Sequence, residues 1–212
     1  MPRLVVEFLV FFWIAPFAIA AAPSRYAPPI PILWIAAITT LIVLGRSKNV
    51  DRSMIWGAGG ILAGLKGVML RFCIFGPLMV GFAWLMEPEH FLSLPRERPV
   101  VWVVILLLYP IFSVIPQGIV YRSFFCQRYR PLFGEGWLMI LAAAASFAIA
   151  HIVMHRWEPV LMTFVGGLIM TRTLLRRRSG LLADAEHALY GDLAFTLGLG
   201  VWIYVDAARQ GL

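Results

Sequence analysis

Charge is scarce in this chain. Only 14% of its 212 residues are Asp, Glu, Lys or Arg, and 61% are hydrophobic. A soluble domain carries about 25% charged residues, so the composition excludes that class and indicates a polytopic membrane protein. Cysteine is nearly absent. Cys73 and Cys126 both lie in apolar surroundings and lack the clustered ligands that a zinc site needs. They read as packing residues rather than a disulfide or a metal pair. No internal repeat or low-complexity stretch appears, so one membrane domain, 1–212, is expected, with N-terminal spans over 1–99 and a core over 100–205. The net charge is +7. In a membrane protein this excess is read first against the positive-inside rule, and no nucleic-acid partner is required.

The apolar runs predict an all-α bundle of about seven to eight spans. Leu4 to Ala22 is the first, closed by Pro23-Ser24-Arg25. It also resembles a secretory signal, but Glu7 inside it argues against removal. Ile30 to Leu44 is a shorter span opened by the rigid turn APPIP at 27–31. Gly45 to Arg52 is a basic loop. Met54 to Leu65, with Gly57, Gly59, Gly60 and Gly64, reads as an interfacial helix leading into a span from Gly67 to Met86. Lys66 and Arg71 lie near the start of that span, where they would snorkel to the interface. After the polar loop Glu87 to Pro99, Val100 to Arg130 is too long for a simple span, about 45 Å if helical throughout. Pro110 and Pro116 are expected to kink it. Trp137 to His155, Trp157 to Leu175 and Leu181 to Val205 follow.

Threading seven spans with the N-terminus inside puts 13 of the 18 Lys and Arg on one side, including the cluster at Arg172, Arg176, Arg177 and Arg178. The other five, Arg25, Arg96, Arg98, Arg156 and Arg209, fall opposite. The expected setting is therefore an integral membrane protein of a bacterial inner (cytoplasmic) membrane, N-terminus in the cytoplasm, with the lipid bilayer as its first partner.

Arg122 conflicts most with that setting. A guanidinium at such depth costs about 3 kcal/mol or more unless it faces the bundle and meets acceptors. The link RPLFGEG makes the long span and the next one antiparallel neighbours. Counting outward from it, Gln117 is level with Ile149 to His151. Phe147 and His151 are four apart and share a face, and His155 would share it one turn on. His187 and Asp192 come from the last span; they diverge by about 140° but could bound one cavity. Gln117, Arg122, His151, His187 and Asp192 thus form a candidate intramembrane polar cluster. The alternative is a set of separate structural hydrogen bonds. Ionisable groups from three spans favour a site.

These residues carry a resemblance. Gln117-Gly118-Ile119-Val120-Tyr121-Arg122, then Phe147-Ala148-Ile149-Ala150-His151, then His187-Ala188-Leu189-Tyr190-Gly191-Asp192 are similar to the E-E-x-x-x-R, F-x-x-x-H and H-x-x-x-N motifs of the CPBP family. These are the CAAX-protease and bacteriocin-processing, or abortive-infection, intramembrane endopeptidases. The resemblance implies a multi-helix membrane fold and peptide-bond hydrolysis in which a Glu activates water. It implies that the histidines and the Asn or Asp orient that water and stabilise the oxyanion. Older accounts of the family proposed a metal. Here Gln117 and Gly118 stand in place of both glutamates. A Gln positions a water but cannot take its proton near neutral pH, and Gly118 has no side chain. Asp192, Glu186 or a neutral His151 are the alternatives for a base.

Three functions remain open at this stage. One is a catalytically silent relative serving as a subunit of a larger membrane complex with other membrane proteins. Another is an active endopeptidase on a prenylated or peptide substrate. The third is a small transporter, since polar groups at midplane also line substrate paths. No cofactor is expected. A metal at Glu87, Glu89 and His90 competes with a plain solvated loop, and the loop reading is preferred.

Overall fold

In the computed structural model, which describes residues 1–22, 29–58 and 60–202, regular structure is helical, with no strand among those residues. Seven main helices follow in order: α1 (Pro2–Ala21), α2 (Pro29–Gly45), α3 (Ile61–Met86), α4 (Pro99–Arg128), α5 (Trp137–Met154), α6 (Trp157–Arg177) and α7 (Gly180–Thr196). Five of them (α1, α3, α4, α5 and α6) are long and apolar enough to cross a bilayer, and α2 is a shorter apolar helix. Ile35, Leu70, Leu78, Leu107 and Trp137 point outward and are exposed, as side chains facing lipid must be. The Pro23-Ser24-Arg25 closure, Ala27 and Pro28 of the APPIP turn, Gly59, the predicted end at Val205, and Arg209 lie outside the described residues.

Ion pairs fix the alternation of the helices. At one end, Arg178 after α6 binds Asp51 in the loop after α2, and also Glu135 at 3.2 Å in the link after α4. Beside them, Glu7 near the start of α1 accepts a bidentate pair from Arg128 at 2.8 and 2.6 Å. At the other end, Glu87 after α3 meets Arg156 before α6 at 3.1 Å and accepts from Trp202 Nε1 at 2.7 Å. Neighbouring helices therefore run antiparallel. Glu7 is tied by these bonds to the end of α4, and Phe8 and Phe12 pack on Phe125 and Tyr129. This makes α1 an integral wall of the bundle.

α4 is helical without interruption over Pro99–Arg128. A π-helical turn at Pro110–Val114 holds the first proline, and a second π turn at Ile119–Phe124 carries Arg122. A Pro lacks the N–H for the bond to the preceding turn, and a widened turn accommodates that loss locally. The pattern repeats in α1, where the π turn Val10–Ile14 precedes Pro16.

The Gly-rich stretch differs from the expected interfacial helix. Ser53–Trp56 forms a single turn whose Met54 and Ile55 are buried. The chain then breaks, with Gly60 at φ +69°, and α3 begins at Ile61, six residues before the expected Gly67. Ser123 Oγ donates to Met54 O at 2.6 Å and Ser179 Oγ donates to Gly57 O. The carbonyls freed by the break are thus satisfied inside the protein, as irregular backbone at membrane depth requires. Close approach sets this elbow in place: a Cβ on Gly180 would fall on the Ile55 and Met54 carbonyls, and one on Gly64 would fall on Leu182.

Two predictions follow from this packing. Gly180→Ala meets backbone that cannot rotate away, so it should lower thermal stability in detergent by about 1–3 kcal/mol. Gly45→Ala, with nothing within 4 Å, should be close to neutral; equal effects would refute the close-packed elbow. The second concerns Asp51. Burial pushes its carboxyl up, but the Ser53 hydrogen bonds and Arg178 outweigh this and hold it below the usual aspartate value. Its contribution to stability is therefore complete above about pH 4 and is lost as pH falls through the lower folded value. Asp51→Asn should flatten that acid-side loss in a thermal melt measured against pH.

Candidate functional site

Arg122 is 3% exposed and sits on the inner face of α4. Its Nη2 donates to Asp184 Oδ1 on α7 at 2.8 Å. Its Nη1 lies 3.2 Å from His187 Nδ1 and 3.8 Å from Met170 Sδ on α6. A guanidinium only donates, so His187 Nδ1 accepts and the ring proton sits on Nε2. That nitrogen lies 3.1 Å from Tyr109 Oη, one α4 residue before Pro110. The chain of bonds runs Asp184, Arg122, His187, Tyr109, and it crosses between α4 and α7 three times.

His151 has the opposite tautomer. Its Nδ1 lies 2.8 Å from Phe147 O, and a carbonyl only accepts, so Nδ1 carries the proton and Nε2 is left as acceptor. Phe147 stands between the two imidazoles, with ring centroids 4.7 Å from His151 and 5.4 Å from His187. Gln117 donates through Nε2 to Ser113 Oγ at 2.7 Å, one turn back on α4, and its Oε1 is buried with no protein partner.

Gln117, His151 and His187 line one cavity of about 430 Å³ together with Tyr109, Ser113 and Tyr190. Apart from Thr163 the rest of the wall is apolar and comes mostly from α3, α5, α6, α7 and the residues after it, including Phe75, Phe82, Met162 and Phe195. No Asp, Glu, Lys or Arg lies on that wall among the described residues. Arg122 stands behind it, contacting His187.

Three sequence expectations are corrected here. Asp192 does not meet Arg122: its Oδ1 is buried without a partner, and it is off the cavity wall. A residue five after His187 is turned about 140° away, and the face-mate four residues on is Gly191, which does line the cavity. The acid that meets Arg122 is Asp184, three residues before His187 and on its face. Its three-residue spacing from His187 is the signal that could have found it, whereas the motif order pointed downstream. His155 does not continue the Phe147–His151 face, because α5 tightens into a 3-10 turn at His151–Met154 and His155 takes φ +50°. Arg71 does not snorkel. It turns inward, donating through Nε to Glu186 Oε1 at 2.6 Å and through Nη2 to Thr173 at 2.9 Å. Glu186 is fully buried and also accepts from Thr173, so it is engaged away from the cavity. Arg71 and Arg122 are therefore internal charges and drop out of the topological tally.

Residues 99–191 match the family model for type II CAAX prenyl endopeptidase, Rce1-like. The match covers less than half of the chain and shows a likeness to that family over these residues. The Rce1-like segment starts with α4 and ends at Gly191, and so contains Gln117, Arg122, His151, Asp184 and His187. No curated protein and no solved structure matches the chain. The metal once proposed for such enzymes does not fit the donors present: among the described residues no three His, Cys, Asp or Glu side chains converge. Glu87 and His90 are 3.2 Å apart, and Glu87 is shared with Arg156 and Trp202.

The Arg122–Asp184 pair should behave as a buried ion pair. Arg122→Met strands Asp184 without a partner and should cost about 3–5 kcal/mol of stability, whereas adding Asp184→Leu should restore most of it. A thermal melt of both variants checks this. A double variant as unstable as the single one would refute the pairing.

Proposed function

We propose that this Rce1-like membrane protein is a catalytically silent relative that binds through its cavity and serves as a subunit of a larger membrane complex. The observation that carries this reading is the uncharged cavity wall, where no carboxylate stands beside Gln117. Of the three acids of α7, Asp184 is engaged by Arg122 and Glu186 by Arg71, and Asp192 lies off the wall. A water beside Gln117 would find a group to orient it but no carboxylate to take its proton. The cavity is still furnished for recognition. It offers the acceptor nitrogen of His151 and the Tyr109 phenol, set in a largely apolar surround. That surround suits a partner helix or a lipid-linked peptide presenting a few polar groups.

A second reading is favoured by one specific feature. His151 carries its proton on Nδ1, toward Phe147 O, and so presents a basic nitrogen as Nε2. An active endopeptidase would use that nitrogen as the general base, with Tyr109 donating to the developing oxyanion.

Two measurements separate the readings. Extraction from native membranes in mild detergent should recover the chain with other membrane proteins in fixed stoichiometry. Recovery of the chain alone at full yield counts against the subunit reading. The purified protein should show no turnover of quenched-fluorescent peptides, prenylated or plain. Cleavage that disappears in His151→Ala would establish the endopeptidase instead.

A further inference from the structure

Two glycines face the Arg122–His187 pair, and each is filled by a side chain from the opposite helix. Gly118 lies one turn before Arg122 on α4. A Cβ there would fall on Asp184 Oδ1 and within 2.7 Å of Arg122 Nη2. Gly191 lies one turn after His187 on α7. A Cβ there would fall on the ring and hydroxyl of Tyr109. The exchange is reciprocal: α7 sends Asp184 over the glycine of α4, and α4 sends Tyr109 over the glycine of α7. The two inserted groups then end on the same pair. Asp184 holds Arg122 Nη2 at 2.8 Å, and Tyr109 Oη lies 3.1 Å from His187 Nε2.

We propose that Asp184 and Tyr109 are positioning residues that hold His187 in one ring tautomer, and that Asp184 takes up the space and the charge-balancing role open to a carboxylate at position 118. The physical argument has three steps. Arg122 is buried, and among the described residues Asp184 is its ion-pair partner. With that oxygen fixed, the planar guanidinium cannot turn without losing its strongest bond, so Nη1 stays aimed at His187 Nδ1. Because Nδ1 is then an acceptor, the His187 proton is confined to Nε2, where Tyr109 receives it. The Tyr109 phenol, itself on the cavity wall, is left to donate its own proton into the cavity. This holds whether or not the occupant is cleaved. Finding proteolysis would overturn the subunit reading and leave this proposal intact.

The test uses full-length protein in detergent, labelled with ¹⁵N-histidine, read by imidazole ¹⁵N shifts and by Tm. In the unsubstituted protein His187 should show a single tautomer protonated on Nε2, and His151 the opposite one. Asp184→Asn keeps the shape and removes the charge. It should lower Tm and convert His187 to a mixture of tautomers while His151 stays unchanged. Gly118→Asp alone should destabilise, since two carboxylates would share one space. The exchange Gly118→Asp with Asp184→Gly should regain at least half of the lost Tm and return His187 to one tautomer. The proposal is overturned if Asp184→Asn leaves the His187 signals as they were. It is also overturned if the exchange variant is no more stable than Gly118→Asp alone.

Discussion

The bundle depends on a guanidinium that has nowhere else to go. Arg122 lies on α4 at a depth where a charge must find a partner within the protein or pay several kcal/mol. The partner arrives on α7, which delivers Asp184 and, three residues later, His187 to the same point. The position of α7 follows from this requirement. It must sit against the π turn of α4 that carries Arg122, and its start must tuck under the Ser53–Trp56 elbow, where Gly180 leaves room for the Ile55 carbonyl.

α7, read from the sequence as the last span, is shorter than the α6 before it and carries its polar groups in mid-helix. It has 17 residues and carries Asp184, Glu186, His187 and Asp192. The structure shows why it is tolerated. Positions 184 and 186 are about 200° apart around the helix, so their carboxylates leave on nearly opposite sides. Each is taken by an arginine from a different helix, Arg122 of α4 and Arg71 of α3. A helix that is polar on several faces has to be surrounded by protein rather than by lipid. α7 is therefore the inner post of the bundle, and the apolar helices form its outer wall.

This explains what could be read from the chain and what could not. The helices were legible because runs such as Trp137–Ala150 have only one stable form in a bilayer. The need of Arg122 for acceptors was legible from its depth alone, and the shared face of Phe147 and His151 from their spacing. The identity of the acceptor was not settled by motif order, which pointed to Asp192. It is a matter of helix phase, and Asp184 has the right phase. Arg71 was misplaced for another reason. Near a helix end, snorkelling and inward pairing look alike in sequence, and only the buried Glu186 opposite decides between them. The Gly57–Gly60 break was hidden because glycine marks both close helix packing and an open turn.

The silent-subunit reading has to explain each retained group. Arg122, His187 and Tyr109 need no catalytic reason, since together with Asp184 they tie α4 to α7 and removing any one leaves a buried polar atom unpaired. His151 is different. Among the described residues its hydrogen bond goes to Phe147 O on its own helix, so that bond joins no two elements. His151 lines the cavity, and under the proposed binding role its acceptor Nε2 is the group left for an occupant; the fold that presents it rests on Arg122.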